Sequence, residues 1–363
     1  MKRPPLLLLY GIDEQTVAVD AADTRRMTRR AAEALKARGW QVAASQVQSD
    51  LDAALAPFEP DQWLVFNLCE GSPHQAFYYA RAAQELEQRG YAFTGSTAAA
   101  LHRTQSKVSM KGLLEAAGLP TPRWQEASKA QTLDFEAFPA IVKPADEHGS
   151  FGITRDSVVT TLAQARARAQ GVIERFPGGA IIEEFLDSPE YAISLWGPPG
   201  RLEVLGISVI RYDAFPELRD RLCTFDAKWL ETSEAYLMTM PTCPAPLEPD
   251  MAAELAGLAR RAHGACGLRD YSRIDVRLRK GKPMVLDVNS NCDLSETGGF
   301  AHTAQAAGWE YGAMLERLAL MAAARAKPVR TARRPGAQRE QLALMASGRA
   351  KDARSPQLRG AAL

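Results

Sequence analysis

The chain predicts a mixed fold: an α/β N-terminal part with a parallel sheet, followed by α+β units. Three observations point to it. Strand-like and helix-like runs alternate through the first hundred residues, which favours parallel strands with helices on their faces. After Gly118-Leu119-Pro120-Thr121-Pro122 the pattern changes to short strands around a single helix. Near the C-terminal end, Ser272 to Leu278 and Val285 to Asn291 read as two strands of a hairpin around Lys280-Gly281-Lys282.

Taken in order, Leu6 to Tyr10 is a buried strand, because its apolar run is too short for a signal peptide and ends at Asp13-Glu14. A helix spans about 20 to 38 and stops at Gly39. Strands follow at Trp40 to Ala44 and Trp63 to Leu68, then a helix over about 75 to 89 and a strand at Tyr91 to Thr94. A helix from Lys107 to Ala117 leads to strands at Ala140 to Lys143 and Ile181 to Phe185, with a helix over about 161 to 175 between them. Residues 212 to 250 lack periodicity, and so long an irregular stretch is often a lid. Helices over 250 to 265 and 309 to 325 flank the hairpin.

The formal charge of +1 hides an asymmetry. From Lys327 onward nine Lys/Arg face only Glu340 and Asp352, a net of about +7, so the preceding body carries about −6. The basic segment, rich in Ala, Arg, Gly, Pro and Ser, reads as a solvated, mostly disordered tail rather than a nucleic-acid arm. Five cysteines without CxxC spacing argue against a disulfide framework or a zinc site and suit a reducing cytoplasm. No apolar run reaches membrane-spanning length.

The hairpin carries the chemistry. A turn centred on Gly281 sets Asp275 opposite Asp287 and Arg273 opposite Asn289. Side chains two apart share a strand face, and like charges directly across a sheet repel. A hard divalent cation with oxygen ligands resolves the conflict, and magnesium directs the search toward phosphate. Two further segments suit a nucleotide. Lys143 ends a strand before Glu147-His148-Gly149-Ser150-Phe151-Gly152, a loop able to wrap phosphate with backbone N–H groups. Ile181 to Leu186 ends a strand where backbone groups and a carboxylate can meet an adenosine.

Together with Phe93-Thr94-Gly95-Ser96 and Ala116-Ala117-Gly118-Leu119-Pro120-Thr121-Pro122, these segments resemble the ATP-grasp superfamily, most of all D-alanine–D-alanine ligases, over residues 5 to 325. The resemblance implies an N-terminal α/β domain (1–102), a central ATP-grasp domain (103–186), a C-terminal ATP-grasp domain (187–326) and the tail (327–363), with ATP between the central and C-terminal domains. It implies a cytoplasmic ligase, dimeric as related ligases commonly are, that joins a small-molecule carboxylate to an amine through an acyl phosphate, using ATP and two magnesium ions, with manganese as a substitute.

By the same resemblance, Lys107, Lys143, Glu147, Gly149 and Ser150 surround the phosphates, and Lys228 reaches the γ-phosphate from the long loop. Glu183, Glu184, Phe185 and Leu186 flank the adenine, and Glu190 takes the ribose hydroxyls. Asp275, Asp287 and Asn289 hold the metal ions; Arg273, Lys228 and Ser150 act in the chemistry. Glu14, Glu70, Arg273, Asp293 and Ser295 meet the substrates.

The chain departs from the ligase pattern at Asp287 (usually Glu), at His148 inside the phosphate loop, at Trp229 (usually Tyr), at 67–71, and from Asn291 to Glu296. Most of these lie on the substrate side. His148 either touches phosphate or substrate or fills the loop; Asp293 and Ser295 either contact substrate or cap a helix near 300; Glu70 either binds an amine or orders its own turn. Another ATP-grasp reaction, or a nucleotide-binding protein without catalysis, stands as the alternative.

Overall fold

Three four-stranded sheets organise the chain. The computed structural model describes residues 3–12, 18–47, 50–69, 78–198, 200–230 and 232–326. Glu14, Glu70 and the basic tail therefore lie outside the described residues, as does the side chain of Trp229.

The first sheet is parallel throughout, in the order β2-β1-β3-β4. Its strands are β1 (Leu6–Gly11), β2 (Val42–Val47), β3 (Leu64–Leu68) and β4 (Ala92–Phe93), connected through α1 (Ala18–Ala37), α2 (Leu51–Leu55) and α3 (Tyr78–Arg89). Leu6 to Leu9 are buried without alternation because both faces of the sheet are covered. Leu6 and Leu8 join one core cluster, Leu7 and Leu9 another. The second strand begins at Val42 rather than Trp40, whose indole is instead core packing and donates to Glu316 Oε1 at 3.3 Å.

Two helices, α4 (Ala98–Gln105) and α5 (Lys107–Ala116), lead into the second sheet, and Ser106 caps the second of them. That sheet is antiparallel, with order β5-β8-β6-β7: β5 (Trp124–Ala127), β6 (Ala140–Pro144), β7 (Val158–Val159) and β8 (Ala180–Glu184), covered by α6 (Leu162–Arg175). The sequence pattern showed neither α4 nor β5; each is short and half polar.

The third sheet, also antiparallel, has order β10-β9-β11-β12, built from β9 (Glu190–Gly197), β10 (Glu203–Ile210), β11 (Asp270–Arg279) and β12 (Lys282–Asn289). Between β10 and α9 (Pro249–Ala265) runs the long loop. It is less irregular than its sequence suggests, holding the short helices α7 (Phe225–Trp229) and α8 (Glu234–Met238), each begun by a capping Thr224 or Ser233. After the hairpin come α10 (Gly299–Ala306) and α11 (Tyr311–Ala323).

The hairpin pairs Asp275 with Asp287 and Arg273 with Asn289 as expected, but by another route. The turn has two residues, Lys280 and Gly281, both at positive φ (50° and 80°), as the twist of a tight hairpin requires. That turn alone would set Asp275 opposite Leu286. A β-bulge between Asp275 and Val276 opposes one residue with two and shifts the register by one.

Candidate active site

Two adjoining cavities meet at the end of this hairpin. The smaller, about 120 Å³, is bounded by Lys107, Lys143, Glu183 to Leu186, Glu190, Arg277 and Asp287. The larger, about 350 Å³, lies beside Arg273 and is walled by the long loop and the start of α10. Glu147, His148, Gly149, Glu190, Cys223, Lys228, Asp275 and Asn289 line both.

In the smaller cavity the lysines are supported from beneath. Lys107 opens α5; its Nζ donates to the carbonyl of Glu147 and so fixes the start of the 147–152 loop. Lys143 is next to last in β6, with Nζ 2.8 Å from Glu183 Oε1. Glu183 Oε2 is 3.0 Å from Lys111 Nζ, and neither side chain of that pair is exposed beyond 1%. Burial would raise the Glu183 carboxyl, but Lys111 and Lys143 hold it below the usual carboxylate range. Burial would lower Lys143, yet Glu183 and Asp287 leave it raised, so it stays a cation. The Glu183 side chain is thus the counterion of two lysines, and the residue lines the same cavity as Glu184, Phe185 and Leu186. Lys111 was missed; its only sequence signal was its place one helical turn after Lys107.

Asp287 faces the same cations. Burial alone would raise its carboxyl, but Lys107, His148 and Lys143 hold it well below the ordinary value, so it is ionised across the working pH range. Asp275 is met differently. Arg273 grips it with two hydrogen bonds of 2.8 and 2.9 Å, and Asn289 Nδ2 donates to its Oδ2 at 2.9 Å. Among the described residues no three His, Cys, Asp or Glu side chains converge as a metal cluster. The donor set of two carboxylates and one carboxamide supplies hard oxygens, which fits magnesium completed by phosphate oxygens and water. To take an ion, Asp275 must release Arg273, and Asn289 must turn its oxygen inward.

The 147–152 loop is locked onto the long loop. Ser150 lines the smaller cavity, and its Oγ donates to the carbonyl of Cys223 at 2.8 Å, so this hydroxyl also serves as a latch. The Phe151 and Phe225 rings are 5.1 Å apart, and Arg155 pairs with Asp220 at 2.7 Å. Gly152, at φ +73°, lies so close that a Cβ would meet Pro144 at 2.6 Å and Phe176 at 2.8 Å. His148 Nε2 is 3.0 Å from the carbonyl of Gln105; a carbonyl only accepts, so Nε2 carries the hydrogen and Nδ1 is the acceptor. Burial, helped by Lys107, lowers this imidazole to about 4, so it is neutral at pH 7.

The remaining expectations divide. The Glu184 side chain is engaged by Arg279, and its backbone N–H donates to the carbonyl of Arg123 at 2.8 Å. Glu190 pairs with Arg277, a residue missed although strand alternation continues the Arg273–Asp275 face to it. Asp293 accepts from the backbone N–H and the hydroxyl of Ser295 at 2.8 and 2.9 Å, so both side chains order their own turn. Lys228 stands in α7 at the border of the two cavities.

Buried lysines facing a carboxylate hairpin, a strand-end segment bordering the same cavity and a latched loop define the ATP-grasp class of ATP-dependent ligases. The family model described as "D-ala D-ala ligase C-terminus" matches residues 113–320, more than half of the chain, and the chain belongs to that family. The uncharacterized protein y4sG of Sinorhizobium fredii is 31% identical over 261 residues, covering 71% of this chain and 74% of that protein. The D-alanine–D-alanine ligase of Haemophilus influenzae is 28% identical over 279 residues, covering 72% and 88%. The crystal structure of D-alanine–D-alanine ligase from Bacillus anthracis complexed with ATP superposes with a TM-score of 0.68 at 18% identity, over 88% of this chain and 97% of that one.

Proposed function

We propose that this ligase phosphorylates a small carboxylate with ATP and passes the acyl group to an amine, forming an amide or peptide bond. The observation that carries this reading is the shared wall of the two cavities. Lys228, Asp275 and Asn289 border both, with Lys107 and Lys143 on one side and Arg273 on the other. A phosphoryl group held by the first set lies next to an acyl group held by the second.

In this reading Lys107, Lys143 and Lys228 hold phosphate charge, and backbone groups from Glu184 to Leu186 meet the adenine. Glu190 accepts from the ribose hydroxyls. Arg273, released from Asp275, turns its fork to the acyl phosphate and then to the oxyanion. Asp275, Asp287 and Asn289 would hold two magnesium ions, whose charge offsets that of the transferring phosphoryl; manganese is the expected substitute. The latched loops keep water from the acyl phosphate. Glu14 and Glu70 are the residues that the family resemblance proposes for substrate contact. The proposed domains are 1–102, 103–186 and 187–326, each containing one of the three sheets. The setting is cytoplasmic and the protein a homodimer acting on small molecules.

D-alanine is the first substrate to try, because relatives are named for it. The departures from Asn291 to Glu296 lie on the larger cavity and favour a screen of other amino acids beside it. The assay is phosphate release from ATP and magnesium with paired carboxylates and amines, the product identified by mass. Release should require an acceptor amine, and Asp287→Asn should lower it by about 100-fold or more. Release indifferent to the amine, with no amide formed, would favour phosphorylation without ligation.

A further inference from the structure

Arg277 lies two residues beyond Asp275 on β11 and is only 3% exposed. Its guanidinium meets three acceptors from three parts of the chain. Nε donates to Glu190 Oε2 at 3.1 Å, Nη1 to the carbonyl of Leu186 at 2.9 Å and Nη2 to the carbonyl of Arg221 at 2.9 Å. The flat group is 4.6 Å from the Tyr212 ring centroid and 5.2 Å from that of Phe185. Arg221, within the long loop, is itself gripped by Asp187 through bonds of 2.9 and 3.1 Å.

Burying a guanidinium is costly unless its donors are met, and only a planar fork reaches acceptors in three directions at once. Here the three acceptors are the carboxylate proposed for the ribose, the strand-end backbone proposed for the adenine, and a carbonyl within the loop that covers both. The geometry points to Arg277 as a positioning residue for nucleotide recognition. It pins Glu190 through Oε2, so that Oε1 accepts from the ribose hydroxyls. Through Arg221 it ties the loop to the same event, and that coupling is reciprocal: filling the ribose site stabilises the loop, and an anchored loop favours the nucleotide. This inference rests on the ribose role of Glu190 given above.

The test is calorimetric binding of ADP and of 2′-deoxyADP, with magnesium, to the full chain. In parallel, tryptic cleavage at Arg219, Arg221 and Lys228 is followed with and without ADP. The wild type should prefer ADP and be protected by it. Arg277→Met should weaken ADP by about tenfold or more, the scale of a charge-assisted hydrogen bond, with little effect on 2′-deoxyADP, and ADP should no longer protect the loop. Arg277→Lys keeps the charge without the fork and should fall between, which serves if the methionine variant does not fold. Equal weakening of both nucleotides in either variant, with protection retained, would make Arg277 a structural ion pair and overturn the inference. Glu190→Gln separates the two levels. If it keeps the wild-type preference for ADP, the ribose role of Glu190 is wrong and the inference falls with it; if it loses the preference while Arg277→Lys keeps it, only the inference fails.

Discussion

The Lys111–Glu183–Lys143 cluster shows how single side chains set up the phosphate site. One buried carboxylate lies between two lysines; Lys143 and Glu183 reach the cavity wall, and Lys111 supports them from behind. Lys111 also donates to Thr121 Oγ1 at 2.7 Å, which ties the helix to the segment after it. Lys111→Met should cost about 3 kcal/mol, because it removes one partner of a buried pair. Chemical denaturation checks that value. ADP affinity should fall as well, since Lys143 is then drawn toward Glu183. Lys143 was singled out by its place at a strand end, Lys107 by the family resemblance, and the carboxylates by alternation. The latch made by Ser150 was not legible, because the partner of its hydroxyl, the carbonyl of Cys223, is 73 residues away and leaves no trace in local pattern.

At the scale of elements, the hairpin gives the clearest lesson. Alternation made the Asp275–Asp287 pairing legible, yet the two-residue turn and the bulge that together produce it are offsets of one residue each, and their sum mimics a three-residue turn. The parallel sheet was legible because buried strands are continuous apolar runs; the helices of the long loop were not, because five-residue helices depend on capping and tertiary contact. The packing of α9 on β11 carries a pH-dependent element. His263 Nδ1 is 2.8 Å from Ser272 Oγ, and burial lowers the imidazole to about 4. An unfolded histidine takes its proton near pH 6.5, so between about 6.5 and 4 the unfolded state binds more protons than the folded one. Stability contributed by this group is therefore complete above that window and lost as pH falls through it, by up to roughly 3 kcal/mol. His263→Gln should flatten the fall of Tm between pH 7 and 5, read by thermal unfolding across that range.

At the scale of the whole molecule, residues 1–327 form one compact unit, and the net positive charge near +7 lies almost entirely beyond it. No helix among the described residues is long and apolar enough to cross a membrane. A chain ending at Lys327 should keep its Tm and its nucleotide affinity, which thermal unfolding and ADP titration would check. Resemblance made the ATP side legible because its residues answer to an unvarying phosphate and adenosine. The substrate side was less legible because the departures cluster there, and two of its expected residues lie outside the described part. The central claim is that carboxylate activation and amide formation occur in one site. Its most direct test is to quantify ADP, phosphate and amide together in a single reaction with ATP, magnesium and a productive carboxylate–amine pair, using wild type beside Arg273→Met. Equal amounts of all three from the wild type, with all three lost together in the variant, is the expected result. ADP and phosphate accumulating without amide across the full substrate panel would contradict it.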